Sequence, residues 1–333
     1  MINVAATVGK LRKMNAKKIL LQVPDGLKPN VFDYFSRLSS EFNVIVSSEG
    51  FYGACDTGNM EVYKDVDCIV QLGHSEIPNI NYPKPVIFEE YRNEKTVEID
   101  PSVLEPLVSG GSRRVGLVAS IQYMNEMQDV RRLLEDQGIE VRVGESDGRM
   151  RYAGQVLGCN FSSAHSVEAD VDSFLVVSTG MFHAIGVQLS TSKDVFLLDL
   201  NDRTMRNIKG ETDKFLRKRY GALYRARDAR KFCVVVDTKV GQHRRKLADV
   251  LMNDVRKVGG EPVLLTTNEV NPMDYENMRC DAVIFTGCPR VPIDDHEKFT
   301  MPVMTPPEFQ TIFGLKNPGR YIMDEIVAVD DLN

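Results

Sequence analysis

One folding pattern recurs three times along the chain, and this repetition constrains the fold more than any single composition value. The third copy shows the unit most cleanly. KFCVVVD reads as a strand, VGQHRRKLADVLMNDVRKVGG as an amphipathic helix closed by glycines, and EPVLLTT as a second strand. MDYENMR reads as a short helix and CDAVIFTG as a third strand. The first copy repeats the order of strands and main helix as KKILLQVPDG, PNVFDYFSRLSSEF, NVIVSSEG and VDCIVQLGH. The second repeats it as RRVGLVAS, YMNEMQDVRRLLEDQG, IEVRVGES and VDSFLVVSTG. A fourth strand follows each time, in KPVIFEE, KDVFLLDL and FTMPVMTP.

Apolar, β-branched runs joined by helices imply parallel strands covered on both faces, with right-handed crossovers. The expected fold is therefore α/β: three homologous domains, each a mostly parallel sheet flanked by helices, arranged around a shared centre. Ser109-Gly110-Gly111-Ser112 breaks the first unit from the second, and the stretch from Asp213 to Lys231 divides the second from the third. The expected domains are residues 1–110, 111–228 and 229–333. The stretch Asp213–Lys231 carries eight Lys or Arg and is expected as a solvated linker helix. Its functional alternative is a docking surface for an acidic partner.

Composition excludes some classes of function. The chain of 333 residues has a net charge of −6, which argues against general nucleic-acid binding, since that needs a broad basic surface. No apolar run is long enough to span a bilayer. The N-terminal MINVAATVGKLRKMNAKK lacks the apolar stretch of a signal peptide, so a cytoplasmic protein is expected.

The six cysteines divide into two kinds. In a cytoplasmic chain they are not expected to form a disulfide framework. Cys68, Cys233 and Cys280 lie in or beside β-like apolar runs and read as small buried hydrophobes. Cys55 in GFYGACDTG, Cys159 in QVLGCNFSS and Cys288 in IFTGCPRVP lie instead in glycine-rich loops, one in each unit. They are not copies of one position. Cys288 directly follows Gly287, which ends a third strand as Gly73 and Gly180 do, whereas the places equivalent to Cys288 are His74 and Met181. Ligand-binding groups in such sheets gather at the carboxyl ends of the strands, where these loops fall.

Spacing alone leaves four readings of the loop cysteines: unrelated structural residues, a zinc site completed by His74, a thiol nucleophile, or a three-cysteine iron–sulfur cluster with one open iron. The absence of any CxxC weakens zinc, because structural zinc usually takes closely spaced ligand pairs. Other residues fall at the same edges. Asp25 and Gly26 follow the first strand, and Gly53 allows close backbone approach beside Cys55. His74, Gln122, Ser178, Thr179 and Gly180 also lie at strand ends, as do Asp237 and Thr238, with Gly241 read as a helix start. Arg290, next to Cys288, is a candidate partner for a substrate carboxylate. His165, His183, His243 and His296 have no spacing that singles them out. Met124 and Met127 read as helix packing.

The ordered set VPDGL, FYGACD, GCN and TGCP, with its long spacings and the triplication, resembles the archaeal diphthamide synthases, relatives of the eukaryotic heterodimeric pair. The resemblance covers essentially the whole chain. It implies transfer of the 3-amino-3-carboxypropyl group of S-adenosylmethionine to an imidazole carbon of a histidine in translation elongation factor 2. It further implies a non-classical radical route that depends on a [4Fe-4S] cluster, with Cys55, Cys159 and Cys288 as its ligands. The edge residues from Asp25 to Gly241 become candidates for binding S-adenosylmethionine. The partners implied are elongation factor 2, a second copy of the chain in a homodimer, and an electron donor. A non-catalytic zinc or iron–sulfur scaffold is the competing function.

Overall fold

The computed structural model describes residues 4–58, 61–93, 99–317 and 319–328. The outer ends of the first and third expected units, residues 1–3 and 329–333, lie outside the described residues. Three sheets follow one another along the chain. The first contains β1 (Lys18–Gln22), β2 (Asn43–Ser47), β3 (Cys68–Leu72) and β4 (Val86–Glu89), in the order β2-β1-β3-β4. The second contains β5 (Arg114–Ala119), β6 (Glu140–Arg142), β7 (Ser173–Val177), β8 (Asp194–Asp199) and β9 (Thr204–Asn207), in the order β6-β5-β7-β8-β9. The third contains β10 (Lys231–Asp237), β11 (Glu261–Thr267), β12 (Ala282–Phe285) and β13 (Val303–Met304), in the order β11-β10-β12-β13. Each sheet thus places its second strand outside its first, and its third and fourth on the other side. All pairings are parallel except β8 with β9.

The apolar runs explain this arrangement. β3, β7 and β12 are buried at every residue, and β5, β8 and β10 at all but the first. Such strands need cover on both faces. The helix Met127–Asp136 supplies part of it by burying Met127, Val130 and Leu134, spaced three and four residues apart. The helix Arg245–Lys257 buries Ala248, Leu251 and Val255 in the same way.

Three expectations are corrected. The edge strands β2 and β11 are not covered on both faces: Ile45 and Val263 stay exposed, because an edge strand has a neighbour on one side only. The second sheet gains the antiparallel β9. There the Asp199 carboxylate accepts from the amides of Asn201 and Asp202, and Arg203 takes a positive φ of 53°, which turns the chain back on β8. Finally, Cys233 and Cys280 are buried as expected but are joined as a disulfide. Cys233 lies on β10 and Cys280 leads into its neighbour β12, so adjacent strands bring together thiols that are distant in sequence.

The basic stretch Asp213–Lys231 is likewise not simply a solvated linker. It continues the helix Lys209–Tyr224, where Arg219 is buried in a bidentate pair with Glu308, at 2.6 Å to each carboxylate oxygen. Glu308 also accepts from the backbone amide of Thr305 in a capping box and from the Tyr321 hydroxyl. One carboxylate therefore joins the connecting helix, the helix Pro306–Ile312 and the C-terminal segment. Removing one partner of such a pair leaves an uncompensated buried charge. Arg219→Met should lower the unfolding free energy by about 3–5 kcal/mol in urea titrations; a loss under about 1 kcal/mol would show that the pair holds nothing together.

Candidate metal and substrate centre

In each sheet the first and third strands lie side by side while their connections leave in opposite directions. A crevice opens at the carboxyl ends of such a strand pair. The three crevices face one cavity of about 300 Å³, within the range of small-molecule sites. The first lobe contributes the loop Tyr52–Cys55 and the turn Gly73–Ser75 after β3. The second contributes Ser120–Gln122 after β5, together with Val156–Cys159. The third contributes Cys288 and Arg290 after β12. Cys55, Cys159 and Cys288 all line this cavity; Cys68 does not.

Backbone geometry explains why these loops take glycine. Gly53 has φ of 147° and lies so close to His74 that a Cβ there would meet the ring at 3.3 Å. A Cβ on Gly241 would fall 2.5 Å from the Cβ of Cys55. The Gly241 amide donates to the Cys55 carbonyl at 2.9 Å, which ties the third lobe to the first.

Contacts between lobes close a ring around the cavity. Gln155 of the second lobe donates to Ser75 of the first at 2.8 Å. Arg149 of the second, itself buried, donates to the carbonyl of Gly241 in the third at 2.7 Å. The Gln242 side chain of the third donates to the Cys55 sulfur of the first at 3.2 Å. The amide of Ile326, in the C-terminal segment, donates to the Cys159 carbonyl at 2.7 Å.

The electrostatics of the site are those of desolvated thiols. Burial first, then the neighbouring Cys159, pushes the Cys55 thiol up to about 12, while the Gln242 hydrogen bond and Arg149 pull against it. Burial, then Cys159 and Cys55, raises Cys288 well above the ordinary value. Cys55 and Cys288 thus sense their neighbouring sulfurs, and ionising these two thiols there requires a cation. Among the described residues, no group of three or more His, Cys, Asp and Glu side chains could hold a single metal ion. One zinc at about 2.3 Å from each sulfur needs the sulfurs within roughly 4 Å of one another. A multinuclear cluster takes each thiolate on a different metal atom and accepts a wider triangle. The donor set therefore fits an iron–sulfur cluster better than the zinc ion with His74.

The other expected residues separate into two groups. Gly53, His74 and Gln122 line the cavity. Gly241 touches Cys55 from behind, but it lies four residues before the helix that begins at Arg245, and its amide is already used. Ser178 reaches the cavity only through His183, whose Nδ1 lies 3.4 Å from the Ser178 hydroxyl. Thr179 and Gly180 do not line it; Thr179 bonds Tyr123, and the Gly180 amide faces Asp199. Asp25 and Gly26 stand at the strand end but turn outward in a 3₁₀ turn, where exposed Asp25 pairs with Lys28. Asp237 is buried beside Lys239, behind the loop that carries Gly241, and Thr238 lines a second, open cavity on that far side.

Two functional candidates escaped the sequence reading. His183 lines the cavity from the second position of the helix Phe182–Ser190 that follows β7, three residues beyond Gly180, and no spacing in the sequence marked it. Burial lowers both histidines to about 4, which keeps them neutral near pH 7. Gln242 had no motif to mark it. Arg290 lines the cavity, its guanidinium 3.8 Å from the Phe182 ring centroid and paired with Asp294 at 2.6 Å.

Comparison with known proteins agrees with this geometry. Residues 23–322 match the family model "Putative diphthamide synthesis protein". The 2-(3-amino-3-carboxypropyl)histidine synthase of Pyrococcus horikoshii is 31% identical over 96% of this chain and 92% of its own. Its counterpart in Methanocaldococcus jannaschii is 28% identical over 95% and 89%. The crystal structure of Dph2 from Pyrococcus horikoshii with a 4Fe-4S cluster superposes with a TM-score of 0.88 at 30% identity, covering 98% of this chain and 94% of that one. With its three repeated lobes closing on one three-thiol cavity, the chain belongs to the diphthamide synthesis protein family.

Proposed function

We propose that this chain is a 2-(3-amino-3-carboxypropyl)histidine synthase that uses a [4Fe-4S] cluster and S-adenosylmethionine, and that its acceptor is a histidine of translation elongation factor 2. The observation that carries this reading is the convergence of Cys55, Cys159 and Cys288 from three lobes on one cavity. The units 1–110, 111–228 and 229–333 act as one catalytic body, each giving one thiolate. Bound there, the cluster supplies the electron that lets the sulfonium of S-adenosylmethionine release its aminocarboxypropyl arm as a radical.

The protein's own part is binding, orientation and exclusion of water. Three thiolates from three separate lobes would hold three irons of such a cluster and leave the fourth without a protein ligand. Ile77, Ile121, Val156 and Leu157 give that space apolar walls. Arg290 offers the guanidinium that suits the donor's carboxylate, with Phe182 fixing its plane. His74 and His183, being neutral, each hold one ring nitrogen as donor and one as acceptor. They hydrogen-bond the acceptor imidazole without adding a positive charge that would repel the sulfonium.

The test is anaerobic reconstitution with iron and sulfide, followed by reduction with dithionite in the presence of S-adenosylmethionine. The expected product is methylthioadenosine; 5′-deoxyadenosine as the sole cleavage product would overturn the proposed bond selectivity. Alanine at Cys55, Cys159 or Cys288 should each abolish most iron binding, while Cys68→Ala should retain it. Unaltered iron content in all three loop variants would remove the ligand assignment.

The neutral histidines make a second expectation. Between their folded values near 4 and the ordinary value of about 6.5, the unfolded chain binds a proton that the folded chain does not. Stability of the metal-free protein should therefore fall as the pH drops through this window, by about 2 kcal/mol per histidine from pH 7 to pH 5. His74→Gln and His183→Gln should each flatten that loss in urea titrations at the two pH values. An unchanged slope in both would show that neither ring is held neutral.

A further inference from the structure

Gln242 stands between two of the three cavity thiols, and its orientation is fixed by chemistry rather than by choice. The backbone amide of Cys288 is a donor only, and it lies 3.0 Å from one end of the Gln242 carboxamide, so that end must be the oxygen. The NH₂ end then faces the Cys55 sulfur at 3.2 Å. Gln242 is itself buried, with 1% of its surface exposed, so water does not compete for either bond. The turn that carries it is anchored on both sides. The Gln242 amide donates to the Lys239 carbonyl, the Gly241 amide donates to the Cys55 carbonyl, and the Gly241 carbonyl accepts from buried Arg149. One side chain of the third lobe thus fixes the spacing between a first-lobe sulfur and a third-lobe backbone amide.

A hydrogen bond to a ligating sulfur has a defined consequence. It stabilises the more negative, reduced state of an iron–sulfur cluster and so raises its reduction potential. Outer partners of this kind also hold the ligand in place, and losing one costs about 10–100-fold in metal affinity. We propose that Gln242 is a positioning residue of the metal site, whose N–H to Cys55 sets the reduction potential of the cluster and slows its loss. This rests on the synthase reading, because it needs a cluster on Cys55 and Cys288.

The test uses the full chain, reconstituted anaerobically, as the parent and as Gln242→Met and Gln242→Glu. Met keeps the length but has no N–H; Glu keeps the shape but turns an acceptor and a negative charge towards the sulfur. The midpoint potential should become more negative in the order parent, Gln242→Met, Gln242→Glu. The electron paramagnetic resonance spectrum of the reduced cluster should change, and iron release to a chelator should speed up by about 10-fold. Thermal melting of the metal-free variants controls for the fold. Variants that stay folded but take up no iron also support the positioning role. A loaded Gln242→Met with the parent's potential, spectrum and iron release would overturn this inference alone. Two variants that fail to fold would overturn it as well, since the side chain would then serve the fold. A parent that takes up no iron would overturn the synthase reading and this inference with it.

Discussion

A thiolate out of water is unstable unless a cation faces it, and this chain brings three thiols to one cavity, Cys288 buried and Cys55 and Cys159 half-buried. That requirement organises the rest of the molecule. The first and third lobes can approach this closely only because Gly241 has no side chain where it meets Cys55. Gly158 plays the same part between the second and third lobes, since a Cβ there would meet Phe182 at 2.4 Å and the Arg290 side chain at 3.1 Å. With no room for error in the backbone, the lobes fix their spacing through directional contacts. Gln155 to Ser75, Arg149 to Gly241 and Gln242 to Cys55 each cross from one lobe to another. Apolar packing alone would hold the lobes together without specifying a triangle.

The C-terminal segment completes this fixation. Asp324 forms a buried bidentate pair with Arg244, and Arg244 also donates to the carbonyls of Thr286 and Gly287, just before Cys288. Two residues on, Ile326 bonds the Cys159 carbonyl and accepts from Asn160. The Ala328 amide donates to Asp147 of the second lobe, and its carbonyl accepts from Asn79 of the first. Five consecutive residues, 324–328, therefore touch all three lobes, and one of them, Ile326, bonds a cavity cysteine directly. Buried ion pairs add little net stability against apolar alternatives, but breaking one is costly. Their value here is geometric: Arg244 positions the end of β12, and with it the Cys288 loop.

How much of this could be read from the residues varies with the physics involved. The strands and their succession along the chain follow from apolar runs and helical periodicity, because burial of β3, β7 and β12 dictates residue type locally. The antiparallel β9 was missed because TMRN has no apolar alternation; it exists through an Asp199 turn and one positive-φ arginine. The cysteine triangle was legible through its glycine loops. By contrast, Asp25 and Gly26 looked equivalent to the other strand-end residues, yet the chain leaves β1 in a turn that carries them outward. Gln242 and Arg149 were invisible for a different reason: their roles lie in contacts between lobes, and no local pattern encodes a hydrogen bond across 187 residues of chain. The basic stretch misled in the same way, since Arg219 differs from its neighbours only in having Glu308 beneath it.

The charges around the cavity form a pattern that bears on its chemistry. Among the described residues that line it, none is a carboxylate; the polar groups are hydroxyls, an amide, two neutral histidines and Arg290. Two nearby acids are held away from it. Asp237 sits behind Lys239, and Asp56, raised by burial and opposed by Lys239, faces the second cavity on the far side of the same turn. A carboxylate inside would compete with a metal-bound thiolate set for any cationic ligand and would draw a sulfonium to the wrong wall. Arg290 is the cationic side chain among the described lining residues, and its charge is shared with Asp294, which pairs with it at 2.6 Å from outside the lining. A carboxylate entering this cavity would therefore compete with Asp294 for the Arg290 guanidinium.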